Sequence, residues 1–476
     1  MKSTKILRLA APAVALCTAA PAALAPAVAQ TQAQAPNAED LAALRRELAE
    51  LREQLRQLKE AGTAPAPSAT PSTPPSGTAP PAGADSPPSG TRSGTTPSAT
   101  PTAAATPKWY DTFSIRGYTQ VRYNRLLESN PDYRNEQGDR SIGNNNGFFL
   151  RRVRVIFSGQ VNKKVYFYLQ PDFASSASAT GLNFGQLRDA YFDIGLDAKN
   201  EYRFRIGQSK IPYGFENLQS SQNRLPLDRS DGINSAFSNE RDIGVMFYYA
   251  PERIRRLFAT LVSSGLKGSG DYGVLGLGVF NGQTANRLEL NNRQHVVARL
   301  TYPMQVGKQI IEPSIQAYRG KYVIPTDQTS VGTIVASGRN YADQRVAASF
   351  VLYPQPFGIQ AEYNVGRGPE FNPATDTIET QKLHGGYVTF SYLTKVGRHT
   401  LIPFLRAHNY DGGKKHELDA RSYRVRELEI GTEWQPNKNF ELTAQYTLAT
   451  RRFEDFVRQN NLQRGRLLRL QAQLNF

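Results

Sequence analysis

Cysteine is almost absent from this sequence: Cys17 is the only one in 476 residues. It lies in a leader that we expect to be removed, so the mature chain would have no disulfide, no thiolate chemistry and no cysteine-based metal site. Beyond that leader there is no run of eighteen apolar residues, so no transmembrane helix is predicted. Tryptophan is scarce, whereas tyrosine and phenylalanine number 23 each. This aromatic content suits the interfacial girdles of a membrane β-barrel.

Histidine is also rare, with five residues, and none lies in a recognisable serine or paired-acid motif. A lipase or protease built on a barrel would need a nucleophile or activated water beside a positioned base. The ligand spacings of a metal site are missing as well. We therefore predict that the protein is not an enzyme and uses no cofactor.

Acidic residues are outnumbered, and the formal net charge is +16. Residues 108–476 hold 48 Lys and Arg against 34 Asp and Glu, a net charge of +14. Such an excess can mean a solvated surface or a nucleic-acid partner. We favour a lumen that attracts anions, because many of the basic residues fall on strand positions that face away from the apolar side. No nucleic-acid partner is predicted.

The N-terminal residues 1–29 have the pattern of a secretory signal peptide. A basic start and an Ala/Leu/Val-rich core end at Ala27-Val28-Ala29, which fits the small-x-small cleavage pattern. A lipoprotein signal fits less well, because Leu16 stands where a small residue normally precedes the cysteine.

A helix with a leucine seam is predicted over residues 39–61, where leucines alternate at spacings of three and four. Such a helix could pack on its own chain, but it is marginal alone in water and its flanks offer nothing to pack on. We therefore favour a self-associating coiled coil. Residues 62–107, rich in Pro, Ser, Thr, Ala and Gly, are predicted to be a disordered linker that gives this helix reach.

From residue 109 to 476, sixteen segments of about ten residues alternate apolar and polar side chains. In the last segment Leu468 and Leu470 lie on one side, and Arg469 and Gln471 lie on the other. Short and long connections also alternate, as in bacterial outer-membrane barrels. A soluble sheet would need a covering layer, and the region offers no periodic helix for one. The predicted fold class is an all-β, 16-stranded antiparallel transmembrane β-barrel, with the N-terminal helix in the periplasm.

Two connections depart from this regularity. Residues 251–271 fall where a short turn belongs, and Phe258–Ser264 could pass for a seventeenth strand; we assign the segment to an enlarged turn. Residues 211–241 form a connection of about thirty residues that carries several basic side chains. Loops this long are usually functional, so we expect this one to fold into the barrel and narrow it.

Four motifs resemble the phosphate-selective porin O/P family. Gly207–Glu216, followed by Ser220-Ser221, resembles the start of that family's third loop, and Arg241–Val245 resembles the strand after it. Val279–Gly282 and Phe149–Arg154 resemble two further landmarks, and the likeness covers most of residues 110–476. The resemblance implies a homotrimeric, sixteen-stranded outer-membrane channel. It also implies an inward third loop and an arginine ladder that guides anions to a constriction.

Basic residues on the polar side of the strands and in the long loop are the candidate pore lining. Guanidinium groups stay charged and present forked donors to oxyanions, and rings of Arg or Lys are the usual device of an anion pore. For the loop residues the alternative is a surface salt bridge with Glu216, Asp228 or Asp231. The candidate anion-binding residues are Arg116, Arg122, Arg152, Arg154, Arg203, Arg205, Lys210, Arg224, Arg229 and Arg241.

One departure from the family pattern concerns the permeant. The family's phosphate channels also use lysines of the fifth long loop, whereas residues 321–343 contain only Lys321 and Arg339 as bases. We expect general anion permeability, with phosphate or pyrophosphate as permeants, and outer-membrane lipid and lipopolysaccharide as surroundings. The alternatives are a general porin, or a barrel that anchors the coiled-coil tether. Acids are also predicted to face the lumen, namely Asp189, Asp193, Glu427 and Glu429.

Overall fold

The computed structural model describes residues 112–127, 147–176 and 183–476. The predicted signal peptide, the coiled-coil helix 39–61 and the linker 62–107 lie outside these residues. Within the described part of the chain, no helix is long and apolar enough to cross a membrane.

Sixteen antiparallel strand positions close into a barrel, which confirms the predicted strand number. β1 pairs with β2 on one side and with β16 on the other, so Tyr118 lies opposite both Arg154 and Asn475. Closure matters in lipid, because hydrocarbon cannot satisfy the backbone groups of a free strand edge. Two positions are interrupted strands whose two pieces pair with the same neighbour. Strands β1 to β16 are, in order, Phe113–Leu126, Gly147–Gln160, Val165–Ser176, Asn183–Gly195, Tyr202–Lys210, Arg241–Tyr249, Leu275–Phe280, His295–Thr301 with Met304–Val306, Gln309–Val323, Asn340–Leu352, Phe357–Asn372, Thr377–Tyr392 with Thr394–Val396, His399–Gly413, Ser422–Asn437, Phe440–Glu454 and Leu462–Asn475.

The extracellular ends of three hairpins are longer than predicted. β11 extends to Asn372, and β12 begins at Thr377. Residues 366–382, which the sequence pattern indicated as a long connection, are therefore mostly strand. Of residues 409–424 and 451–465, about half are strand. Beyond the lipid a strand no longer needs apolar residues on its outer face, so the alternation fades while the backbone ladder continues.

The connection between β5 and β6, residues 211–240, lies inside the barrel and is called L3 here. It contains two one-turn helices, α1 (Phe215–Leu218) and α2 (Asp231–Asn234), and almost all of its side chains are buried. Helix α2 packs on the wall at β12: a Cβ added to Gly232 would lie 2.7 Å from the carbonyl carbon of Gly385. The absence of a side chain at residue 232 therefore allows this contact.

The segment between β6 and β7 forms a helix, α3 (Glu252–Ser263), within the predicted enlarged turn 251–271. The expectation that the barrel region holds no periodic helix is therefore wrong here, and no strand forms at Phe258–Ser264. The buried residues of α3 are Ile254, Phe258 and Leu261, spaced by four and three as one helix face requires. Leu261 packs in a cluster with Phe215 of L3.

Candidate permeation site

L3 is held against the far wall by a buried ionic network centred on Glu216. The backbone N–H groups of Phe215 and Glu216 donate to the two carboxylate oxygens of Glu362 on β11, at 2.6 and 2.7 Å. The side chain of Glu216 accepts from Arg406 on β13 at 2.7 Å. Further along the loop, Asp231 pairs with Arg451 on β15 at 3.0 Å. The loop is thus attached to the β11–β15 side.

A second attachment joins L3 to the seam where the barrel closes. Asp228 lies 2.6 Å from Arg469 on β16, 3.2 Å from Arg122 on β1 and 3.4 Å from Arg151 on β2. Burial acts in the opposite direction, but Arg122 and Arg469 hold the pKa of Asp228 well below its usual range. One carboxylate therefore binds three strands at once.

A basic cavity of about 440 Å³ lies on the β1–β6 side, between L3 and the periplasmic turns. Five of the ten candidate residues line it, together with two further basic residues, three aspartates and four tyrosines. The basic residues are Arg116, Lys164, Arg203, Arg205, Lys210, Arg241 and Arg255. The aspartates and tyrosines are Asp189, Asp193, Asp271, Tyr166, Tyr168, Tyr191 and Tyr272.

Three arginines of the basic cavity are neutralised by its aspartates. Arg205 forms a two-pronged pair with Asp193, at 2.7 and 2.9 Å, and its guanidinium also lies 3.9 Å from the centre of the Tyr191 ring. Arg241 contacts Asp189 at 2.8 Å. Arg203 makes a 2.8 Å ion pair with Asp271. Their charges are compensated within the protein, so they define the shape of the cavity more than its net charge.

The two other candidate residues of the cavity have no carboxylate partner among the residues that the structure describes. Arg116 donates to the hydroxyl of Ser158 at 2.8 Å and lies 5.7 Å from the centre of the Tyr168 ring. The ammonium of Lys210 donates to the carbonyl oxygens of Leu218 and Gln219, at 2.8 and 2.7 Å. These acceptors are neutral, so neither charge is paired directly with an acid, and Glu240 and Asp189 act on Lys210 only at longer range.

Arg152 and Arg224 also have no carboxylate partner among the described residues. They lie outside the basic cavity and interact electrostatically with each other. Arg152 donates to Gln120 at 2.7 Å, and Arg224 donates to the carbonyl oxygen of Leu227 at 3.3 Å. Both side chains are buried. Among the described residues, Nε of each guanidinium and Nη1 of Arg224 have no hydrogen-bond partner. Burial and nearby Arg229 lower the pKa of Arg224 to about 9. The two groups are desolvated donors at L3.

The three remaining candidates, Arg122, Arg154 and Arg229, are buried and paired. Arg154 contacts Asp172 at 2.7 Å across the β2–β3 pair. Arg229 pairs with Glu240 at 2.7 Å; it is in a salt bridge, but the pair is buried and does not involve the predicted acids, so the surface salt bridge is wrong for this residue. Arg122 binds Asp228, as described above. The predicted lumenal acids also have basic partners; Glu427, for example, accepts from Arg451 at 2.7 Å.

Some lumenal basic residues escaped the sequence analysis. Arg188 on β4 is buried and donates to the Asn239 side chain at 2.8 Å. Strict alternation predicts that Arg188 and its neighbour Asp189 face opposite sides of the sheet, so that Arg188 faces lipid. A register shift in the β3–β4 pair instead turns both side chains inward. Lys414 and Lys415, which pair with Asp231 and Asp343, lie in a loop without periodicity and gave no signal. Three fully buried wall arginines were also missed, namely Arg345, Arg406 and Arg451, whereas Arg469 was placed on the polar side but not among the candidates.

A closed sixteen-stranded barrel with a loop folded into its lumen defines the class as an outer-membrane diffusion channel. The sequence model of the family "Phosphate-selective porin O and P" matches residues 127–476, and the chain belongs to this family. It is therefore a porin of the outer membrane, a channel rather than an enzyme.

The barrel is similar to several solved structures. The outer membrane channel DcaP of Acinetobacter baumannii is 14% identical, with a TM-score of 0.48 over 76% of this chain and 97% of that chain. Salmonella typhi OmpF, in complex with daunomycin, gives the same four values. An anion-selective porin from Comamonas acidovorans is 10% identical, with a TM-score of 0.45 over 77% and 99% of the two chains. Among curated proteins no match was found.

Proposed function

We propose that this porin conducts small anions, with phosphate and pyrophosphate as candidate permeants, past L3 and through the basic cavity. The observation that carries the proposal is the group of four basic residues without a carboxylate partner among the described residues: Arg116, Arg152, Lys210 and Arg224. Two of them line the cavity, and we place the other two at a constriction formed by L3. An anion that passes would meet uncompensated positive charge at both levels.

The chemistry of these groups favours oxyanions. The free N–H donors of a guanidinium match the oxygen atoms of phosphate in a planar fork, while an ammonium acts as a compact point charge. For Arg152, Lys210 and Arg224 burial strengthens these interactions, because the local dielectric is lower than that of water. In the basic cavity seven basic residues face three acidic ones, so an entering anion finds a positive potential.

We expect the channel to prefer anions over cations in planar bilayers. In a salt gradient across the membrane, the reversal potential should have the sign of an anion current, because the unpaired charges concentrate anions in the lumen. The measurement is repeated with chloride, phosphate and pyrophosphate at equal ionic strength. A reversal potential of the cation sign would contradict the proposal.

A general porin without phosphate preference is the second candidate. It is favoured by the pairing of six of the ten candidate residues with carboxylates, and by the shortage of basic residues in 321–343. Equal permeability ratios for chloride and phosphate in the same series would favour it. A barrel that serves only as an anchor would give no conductance at all.

We also propose that the protein is a homotrimer whose residues 39–61 associate as a coiled coil in the periplasm, at the end of the 62–107 linker. Family membership supports the trimer, and the leucine seam supports the coiled coil. Deletion of residues 39–61 should leave the single-channel conductance unchanged, because the barrel lies wholly in later residues. Periplasmic crosslinking should then lose the products that depend on this segment. Identical crosslinking of both proteins would contradict the coiled-coil assignment.

A further inference from the structure

A row of cationic side chains crosses the outer wall of the barrel, on the face opposite to the lumen. Arg319 on β9 pairs in register with Gln344 on β10, Gln344 with Arg367 on β11, and Arg367 with Lys382 on β12. The three basic side chains are exposed, and the four residues lie on adjacent strands at one level. With about 4.8 Å between strands, this outer basic row is about 15 Å long.

The outer basic row marks the extracellular edge of the apolar band. Arg367 lies ten residues along β11 from Phe357, and Lys382 ten residues along β12 from Tyr392; these two aromatic residues pair with each other near the periplasmic end. Ten residues span about 33 Å along a strand. With a strand tilt of 35–45°, that distance becomes about 25 Å of height, the usual thickness of the apolar band of such barrels. The row therefore lies at the level of the outer-leaflet head groups.

An apolar groove of about 1130 Å³ lies on the outer wall beside this row. Small outward residues such as Ala298 and Ala317 form its floor, and larger ones such as Phe247 and Val365 flank it. Arg319, Arg367 and Lys382 are themselves part of the lining. The surface thus joins an indentation of the size of acyl chains to a line of positive charge.

The charges of the outer basic row are not neutralised by the protein. Within the described ranges, Arg319, Arg367 and Lys382 make no hydrogen bond or ion pair. A neighbouring outward cluster differs, because Arg424 and Arg426 both pair with Asp411, at 3.1 and 2.6 Å. On strands β2, β6 and β8 the outward residues toward the extracellular end include Phe148, Ile243 and Val296, which are exposed and apolar. The unpaired cations of this row therefore do not belong to a uniform rim, and the other exposed outward arginines of the strands without a partner among the described residues, Arg125 and Arg464, lie apart from it at the seam between β1 and β16.

We propose that the outer basic row binds the phosphate groups of lipopolysaccharide, and that the adjoining apolar groove receives its acyl chains. Lipopolysaccharide combines phosphates on a sugar head group with several acyl chains in the leaflet where this surface lies. Two guanidinium forks and one ammonium can bind such phosphates through charge-assisted hydrogen bonds. The assignment rests on the outer-membrane location and not on the anion preference of the lumen.

The test compares the full-length protein with the triple variant Arg319→Gln, Arg367→Gln, Lys382→Gln, in a titration of purified lipopolysaccharide in mild detergent. Each basic residue near an anionic lipid surface contributes appreciably to binding, so the triple variant should bind roughly tenfold to a hundredfold more weakly. The matched control removes three exposed charges near the periplasmic turns, Lys308→Gln, Lys395→Gln, Arg398→Gln, and should bind as the wild type does. Unchanged conductance and heat-modifiable migration show that each variant is folded.

Three further arms identify the source of the phosphate. Dephosphorylated lipopolysaccharide should bind the wild type as weakly as intact lipopolysaccharide binds the triple variant. Phosphatidylglycerol should bind more weakly than lipopolysaccharide, and inorganic phosphate in the low millimolar range should not compete. The proposal is overturned if the triple variant binds lipopolysaccharide as tightly as the wild type, or if the periplasmic control loses as much affinity as the triple variant. It is also overturned if phosphatidylglycerol binds the wild type as tightly as lipopolysaccharide does. Because conductance is recorded separately, failure here is distinguishable from failure of the anion channel.

Discussion

Replacement of both Arg152 and Arg224 by alanine should lower the phosphate and pyrophosphate currents roughly tenfold, while the chloride current falls less. Fixed charges in a low-dielectric passage raise the local concentration of a counter-ion by tenfold or more, and these two groups carry charges without a directly paired carboxylate at the proposed constriction. Neither forms an ion pair with a carboxylate among the described residues. Single-channel recording in each salt, at equal ionic strength, measures the effect.

The stability of this double variant distinguishes a functional role from a structural one. Truncation of a buried residue that holds the fold together lowers the free energy of unfolding, whereas removal of an unpaired buried charge relieves a desolvation cost. We therefore expect urea unfolding of Arg152→Ala, Arg224→Ala to require at least as much denaturant as unfolding of the wild type. Replacement of both residues by lysine keeps the charges but loses the planar forks, so the chloride current should recover more than the phosphate current.

The matched control for this pair is Arg319→Ala, Arg367→Ala, which removes two arginines from the lipid-facing wall. Its phosphate current should equal that of the wild type, because these side chains do not reach the lumen. If the lumenal pair and the outer pair lower the current equally, or if neither does, Arg152 and Arg224 are not the groups that the anion meets.

The fold was largely predictable because a membrane barrel imposes one rule on every strand. Hydrocarbon on one side and a polar lumen on the other force period-two alternation, and the last strand displays it from Leu468 to Leu474. The ends of the strands were less predictable. Above the lipid the rule no longer applies, so β11 continues to Asn372 without the alternation that marked its lower half.

The candidate site was predictable in its residue types but not in its charge balance. Alternation identifies a basic residue that faces inward, but it cannot identify the acid that lies beside it. Arg154 meets Asp172 only because of the β2–β3 register, and Arg205 meets Asp193 because of the β4–β5 register. The carboxylate that neutralises Arg122 comes from L3, about a hundred residues away along the chain. These partners determine which candidates remain charged toward a permeant.

Helix α3 was missed because its context argued against it. The segment joins two strands on the periplasmic side, where short turns are the rule, and its apolar residues over Phe258–Ser264 also fit a strand. Only the spacing of Ile254, Phe258 and Leu261 marks a helix face. The Gln219 side chain of L3 donates to the carbonyl oxygen of Lys267 at 2.6 Å, just beyond this helix. The periplasmic segment therefore supports the loop from below as well as closing the turn.

Replacement of Arg406 by alanine should release L3 from the wall, with a larger single-channel conductance and weaker anion preference as the result. Its guanidinium is fully buried between Glu216 of L3 and Glu429 of β14. Loss of one partner from such a network typically costs about 3–5 kcal/mol of folding free energy, because the remaining carboxylates stay buried without a counter-charge. That loss of folding free energy is larger than the stabilisation expected from a few loop contacts, so the loop should leave the wall and widen the passage.

Arg299→Ala provides the matched control for this last experiment. Arg299 is equally buried and pairs with Glu312 at 3.2 Å, but it makes no hydrogen bond or ion pair with residues 211–240. Its loss should lower the stability to urea by a similar amount while the conductance stays at the wild-type value. A wider channel in both variants would mean that the barrel itself had loosened. If Arg406→Ala is destabilised but conducts like the wild type, the Glu216–Arg406 contact is not what holds L3 in place.

Arg406→Lys, which keeps a cation between the two carboxylates, should fall between Arg406→Ala and the wild type in conductance, because the ammonium can bind Glu216 but cannot bridge both acids in a planar fork.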